Sequence, residues 1–203
     1  IDIQQTEDLI RVIELCDVSP LVRITNNDPN LIKRVLDAGS HGIIVPMVNS
    51  LADAQLAVQS AYYPPKGKRS FGLARAQRYG IGFEHYLERS KEETVIIVQI
   101  EHIDALNELE AILSLDDIDG YIIGPYDLSG SMNIPGQFEN SEYLHVIETI
   151  NKVAKKLNKS GGIHIVEPDL QLLESAKKEY NFIAYSVDFR MIDVASRSAL
   201  SVD

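Results

Sequence analysis

The chain has 203 residues, 45% of them hydrophobic, one cysteine and a formal net charge of −11. That is enough apolar material for one substantial core and one domain, while the acidic balance argues against a nucleic-acid or anionic-membrane partner, both of which need a basic face. No apolar run approaches the roughly 20 residues of a membrane helix, and the lone Cys16 excludes an internal disulfide and fits a reducing cytosol.

The chain opens on Ile1 rather than Met, with no secretory signal in view, and reads as a piece of a longer polypeptide. Asp2 to Leu15 carries Ile3, Leu9, Ile10, Val12, Ile13 and Leu15 at helical spacing, and Cys16 at its end reads as a buried structural thiol. Pro20 to Thr25 is a predicted strand. Asp28-Pro29 is a helix start, a capping residue followed by proline, and Gly39 ends that helix. His41 to Pro46 is the next strand, and Ser50 with Asp53 forms an acidic capping box for another helix. Lys66 to about Gly80 is the one long irregular stretch. A helix near Phe83 to Arg89, a strand from Val95, a helix over Ala105 to Leu113 and a strand at Tyr121 follow. A loop around Asn133 to Gly136 leads to a Ser141 to Leu157 helix. Then come a strand over Gly162 to Val166, a helix opened by Pro168, a strand over Phe182 to Val187 and a last helix.

Six strands alternating with helices imply an α/β fold with a parallel sheet and right-handed crossovers. No Gly-x-Gly-x-x-Gly fingerprint follows a strand, which removes the best evidence for a dinucleotide fold. The helix before the first visible strand calls for a strand upstream. The expectation is a single (β/α)₈ TIM-type barrel domain over residues 1–203, with its first one or two strands outside this sequence.

In such a barrel the active site collects at the C-terminal strand ends. Reading those ends gives Arg23, Pro46-Met47-Val48, Gln99, Glu101, Gly124-Pro125-Tyr126-Asp127, His164 and Asp188. Gln99 and Glu101 are two apart and share a face of their strand. A carboxylate at the exit of a buried strand is costly to desolvate unless something positive meets it. Two of them, Glu101 and Asp127, with few soft ligands nearby, fit a hard divalent ion such as Mg²⁺ or Mn²⁺. A helix-end charge and a helix cap explain the same pair equally well. If a helix starts at Gly124, the N–H groups of Tyr126 and Asp127 are free to hold a small carboxylate. Arg23, expected to be buried, needs an anionic partner; that is either a developing negative charge or a neighbour such as Asp37. Among the histidines, His41 falls at a strand start, His85 and His145 on helices, and His102 points away from Glu101. His164 is the best placed, though a core or loop histidine is the commoner case. The cluster Lys66, Lys68, Arg69, Arg75 and Arg78 offers an anionic substrate end or a neighbouring subunit a basic surface, a solvated loop being the default.

Several stretches together resemble the HpcH/HpaI aldolase family, the class II pyruvate-dependent aldolases. They are Val22-Arg23 through Asn27-Asp28-Pro29, Ile32 through Gly39, Ile44 through Val48, Tyr63 through Arg69, Leu73 through Ala76, Val98 through Glu101, and Ile123 through Ser129. The resemblance implies a (β/α)₈ barrel in which Glu101 and Asp127 bind a divalent metal, Mg²⁺, Mn²⁺ or Co²⁺. It makes Arg23 the residue that stabilises an enolate oxygen, and it assigns pyruvate to Gln99 and to Gly124, Pro125, Tyr126 and Asp127. Asp37 matches an aspartate that tunes a catalytic histidine; that histidine, in a Glu-His motif, would lie just before Ile1. Tyr126 stands where a small residue is common, the loop at Ser70-Phe71-Gly72 is shortened, and the C-terminus is short for the terminal helix that family members exchange between subunits.

The activity implied is reversible cleavage of a 2-oxo-4-hydroxy acid to pyruvate and an aldehyde, by a cytoplasmic homo-oligomer. The base would be the upstream histidine or a metal-bound hydroxide, with His164 a distant third. No lysine sits at a strand end, which disfavours a Schiff base. Two alternatives stand beside it. One is an acyl-CoA lyase of the citrate- or malyl-CoA type, with Lys66, Lys68 and Arg69 near CoA phosphates. The other is a catalytically silent barrel that binds a small acid or assembles with itself.

Overall fold

The computed structural model describes residues 1–200. Six strands form one sheet: β1 (Leu21–Arg23), β2 (Gly42–Val45), β3 (Val95–Ile100), β4 (Gly120–Ile123), β5 (Ser160–Ile165) and β6 (Phe182–Tyr185). Their spatial order is their chain order, and every pairing is parallel. Parallel neighbours need a crossover, and helices supply it: α1 (Ile3–Leu15), α2 (Pro29–Asp37), α3 (Leu51–Ala61), α4 (Phe83–Glu93), α5 (Leu109–Leu113), α6 (Pro125–Ser131), α7 (Ser141–Lys156), α8 (Leu170–Ala176) and α9 (Asp188–Leu200). Among the described residues β1 and β6 are edges, so the expected eight-stranded closure is met only as a six-stranded partial barrel. The sheet is curled: Leu21 of β1, Ile97 of β3 and Phe182 of β6 line one cavity of about 260 Å³.

Alternation along each strand sorts the side chains into two sets. Ile43, Val45, Ile96, Val98, Ile100, Tyr121 and Ile123 are buried on the helix-facing side, with Ile32, Val35 and Leu36 of α2 and Ile150 of α7 in the same core. Each full burial of this kind stabilises by about 1.5–3 kcal/mol. The residues between them, Arg23, Ile44, Ile97, Gln99, Ile122 and His164, fall on the concave side by the register Arg23↔Ile44↔Ile97 and Gln99↔Ile122↔Gly162.

The helix starts follow the predicted chemistry. Asp28 accepts from the Leu31 N–H ahead of Pro29, and Ser50 and Asp53 satisfy each other's backbone N–H groups. Gly39, at φ +104°, ends the α2 turn in the left-handed region. Two expectations fail. The helix read over Ala105 to Leu113 is split into a 3₁₀ turn (Ile103–Asn107) and α5, because the His102 ring accepts from Asp104 N–H and Glu108 leaves helical geometry. Cys16 is exposed, because it caps α1 beyond the stripe that buries Thr6 and Ile10. No helix among the described residues is long and apolar enough to cross a membrane.

The Lys66 to Gly80 stretch lies at the N-terminal ends of the strands. Lys66 pairs with Asp117, just before β4, and Arg75 donates to Ala38 O, just before β2. Arg78 and Tyr79 both sit at positive φ, +51° and +55°, held in that turn by hydrogen bonds from Tyr79 N–H to Ala74 O and from Gly82 N–H to Gln77 O.

Candidate active site

At the opposite end of the sheet, β3 runs straight into Glu101, which is 2% exposed. One of its carboxylate oxygens, Oε1, accepts from Met47 N–H at 2.8 Å; the other, Oε2, accepts from Gln99 Nε2 at 2.5 Å. Met47 adopts a left-handed φ of +51° to present that N–H. Gln99 Oε1 in turn accepts from Arg23 Nε at 3.4 Å, so Arg23, Gln99 and Glu101 form one relay across β1 and β3.

Asp127 is the third residue of α6, and its charge lies near enough to act on the Glu101 carboxyl. Burial pushes the Glu101 carboxyl above its ordinary range. The Met47 N–H and the Arg23 charge oppose that rise, and the Asp127 charge adds to it. Gly124 makes the approach possible: a Cβ there would stand 2.8 Å from both Gln99 Nε2 and Glu101 Oε2. Pro125 has no N–H and Leu128 N–H bonds Gly124 O, which leaves the N–H groups of Tyr126 and Asp127 at the start of α6 without backbone acceptors.

A buried Glu101 carboxylate with the Asp127 charge nearby, offset by the Met47 N–H and a guanidinium reached through an amide, is an arrangement that a divalent cation suits. The donor set is all oxygen and hard, and no third His, Cys, Asp or Glu joins it among the described residues. Such a pair suits an ion that keeps water or substrate oxygens in its remaining positions. The residues present fit a hard divalent metal. They fit the helix-start reading too, since Asp127 does sit in the first turn of α6.

Arg23, Gln99, Glu101, Gly124, Pro125, Tyr126 and Asp127 are thus brought to one end of the sheet. Asp37 is not among them. It closes α2 at the strands' N-terminal ends, where Lys33 and Arg69 hold its carboxylate. The ion pair of Arg23 with Asp37 does not form. Arg23 is exposed rather than buried, because it projects from the edge strand β1 into the open concave face. The basic cluster is also at the far end. Arg69 is sunk between Tyr63 and Tyr86 on Asp37, Arg75 pairs with Glu14, and Lys66 lies over Tyr62. It offers nothing to a CoA phosphate at this site. His41 pairs with Glu14 at that same end, and His102 caps the 3₁₀ turn. Sequence reading missed the Met47 N–H as the partner of Glu101. A main-chain donor carries no residue-type signal, and only the bend after Pro46 hinted at it.

A family model described as HpcH/HpaI aldolase/citrate lyase matches residues 1–192. A hydroxypyruvate/pyruvate aldolase of Sagittula stellata is 38% identical over 188 residues, 92% of this chain and 74% of that relative. A 2-keto-3-deoxy-L-rhamnonate aldolase of Escherichia coli is 35% identical over 171 residues, 83% of this chain and 63% of that relative. Among solved structures, an HpcH/HpaI aldolase/citrate lyase family protein from Burkholderia cenocepacia superposes with a TM-score of 0.91 at 26% identity, covering 98% of this chain and 79% of that one.

Proposed function

The chain belongs to the HpcH/HpaI aldolase/citrate lyase family, and we propose that it works as a pyruvate aldolase, a carbon–carbon lyase that reversibly cleaves a 2-oxo-4-hydroxy acid to pyruvate and an aldehyde. The aldolases of S. stellata and E. coli to which it is similar support the reaction class. The observation that carries the site assignment is the convergence of the Glu101 and Asp127 carboxylates beside the Arg23–Gln99 relay.

Glu101 and Asp127 would hold a divalent ion, Mg²⁺, Mn²⁺ or Co²⁺, whose chemistry when bound is Lewis-acid polarisation of a 2-oxo acid. The chain's own groups do the rest. Cleaving the C3–C4 bond turns the 4-hydroxyl into the aldehyde carbonyl, its proton passing to the histidine base that the family resemblance implies, and leaves an enolate; Arg23 meets the charge on the enolate oxygen with a guanidinium already aimed by Gln99. The Tyr126 and Asp127 N–H groups donate to the substrate carboxylate at the start of α6. Met47 N–H and Gln99 Nε2 fix the Glu101 carboxylate before substrate arrives, so no reorganisation is needed at the moment of reaction. Asp37, held by Lys33 and Arg69 at the other end of the sheet, has no part in this set within one chain.

The same proposal has the protein act in the cytoplasm as a homo-oligomer. The exposed apolar side chains Phe71, Leu73, Tyr79 and Ile81 on the long loop support a protein partner surface. The test is pyruvate release from several 2-oxo-3-deoxy acids by the full-length protein, with EDTA and with each metal restored. Loss on chelation and recovery with metal are expected. A covalent adduct trapped by borohydride in the presence of pyruvate would refute the assignment.

A further inference from the structure

His164 is left over by the site described so far, and its placement gives it a use. Of the five histidines, His41 and His102 are engaged at the strand ends and His85 and His145 ride on α4 and α7; His164 is the one within a strand, on the concave side of β5. The β4–β5 register, Ile122↔Gly162 and Ile123↔Ile163, continues to set Gly124 beside His164, and the β3–β4 register continues to set Glu101 beside Gly124. Glu101, Gly124 and His164 therefore occupy one row across three strands spaced about 4.8 Å apart. The middle member has no side chain, and the Gln99 amide and Glu101 carboxylate lie over it where a Cβ would stand. On β6 the register partner of His164 is Ala184, and on β4 it is Gly124, with Ile122 one pair back opposite Gly162. The ring is half-buried and makes no hydrogen bond to a described residue; its electrostatic neighbour is Arg23. Burial and that charge hold the imidazole below its ordinary range, so at neutral pH it carries one N–H donor and one bare nitrogen.

We propose that His164 binds the aldehyde half of the reaction, donating a hydrogen bond to a hydroxyl that the aldehyde carries beside its carbonyl, and that it selects short aldehydes with such a hydroxyl over apolar ones of equal length. This rests on the pyruvate-aldolase reading. With the 2-oxo end held at Glu101 and Asp127, the new bond forms two carbons away, on the β5 side of the row and toward the imidazole. An acceptor with an apolar side chain leaves that half-buried imidazole unpaired beside Gly124 and Ala184, which disfavours it by about tenfold to a hundredfold.

The experiment compares two rates in full-length protein loaded with Mn²⁺: methyl-proton exchange of pyruvate in D₂O, which needs no aldehyde, and addition of pyruvate to glycolaldehyde or to propanal. The wild type is expected to favour glycolaldehyde by at least tenfold in kcat/KM. In His164→Phe the ratio of addition to exchange should fall about 30- to 100-fold for glycolaldehyde, and the preference over propanal should vanish. His164→Gln, which keeps a donor, should recover part of both and guards against a folding defect in the first variant. In protein carrying ¹³Cε1-histidine, the NMR signal lost in His164→Gln should move when glycolaldehyde is added. An unchanged ratio and an unmoved signal overturn the role of His164, while absent exchange in the wild type overturns the aldolase reading itself.

Discussion

Gly124→Ala is the sharpest local test of the site's construction. The added Cβ would sit 2.8 Å from Glu101 Oε2, 2.8 Å from Gln99 Nε2 and 3.0 Å from Glu101 Cβ. Comfortable contact begins near 3.5 Å, so the Gln99–Glu101 pair must retreat by about 0.7 Å. The backbone raises no objection, because Gly124 lies at φ −98° and ψ 93°, open to any residue. Overpacking of this size costs about 1–3 kcal/mol, offset by about 0.4–1 kcal/mol from a stiffer unfolded chain. A net loss of about 1–2 kcal/mol lowers Tm by roughly 2–8 °C in a chain of this size. The effect on rate should be far larger, since a misplacement near 1 Å in a catalytic set costs about 10²-fold. The assay is pyruvate release coupled to lactate dehydrogenase, read beside thermal melting by circular dichroism. A rate within twofold of wild type, with the fold intact, would show that the Glu101 geometry does not govern the chemistry.

Four further outcomes are expected. Arg23→Ala should slow cleavage by about 10²–10³-fold, the usual loss for one oxyanion partner, while Mn²⁺ binding by calorimetry stays intact; an unchanged rate removes Arg23 from the mechanism. Glu101→Gln preserves the acceptor for Met47 N–H but removes the charge, and both metal affinity and activity should collapse together. Arg69→Ala empties the slot between Tyr63 and Tyr86 and breaks the pair with Asp37; since Lys33 still partners Asp37, the loss in urea unfolding should be about 3 kcal/mol, at the low end for a buried pair. For His164 the folded-state pKa is depressed, by burial first and by Arg23 second. The stability it contributes is therefore complete above the unfolded imidazole pKa and is lost as pH falls through the lowered folded one. Wild type should show that acid-side decline in urea midpoints below about pH 6.5, and His164→Gln should show less of it.

Much of the fold was legible in the chain. The β-branched runs Val95 to Ile100 and Gly120 to Ile123, buried on both faces, announce a parallel sheet, and the Asp28-Pro29 and Ser50/Asp53 caps mark helix starts that form as read. Glu101 and Asp127 were legible as acidic residues at strand exits, because each follows a run buried on both faces. What escaped depends on which end of the sheet a loop reaches and on partners without a side-chain signature. Asp37 and Arg69 are far apart in sequence and meet at the other end of the sheet, a pairing that no motif reports. Arg23, expected to be buried, is exposed on β1, which is an edge of the sheet among the described residues. The break at Glu108 reflects a tertiary tie, its carboxylate accepting from Leu51 N–H on α3, which no helical periodicity reports.

The most direct measurement is anomalous diffraction at the manganese edge from crystals of the full-length protein grown with Mn²⁺ and pyruvate. One peak bridging a Glu101 oxygen and an Asp127 oxygen, with pyruvate between it and Arg23, is the predicted result. A manganese ion bound elsewhere, with those two carboxylates turned away from each other, would contradict the account.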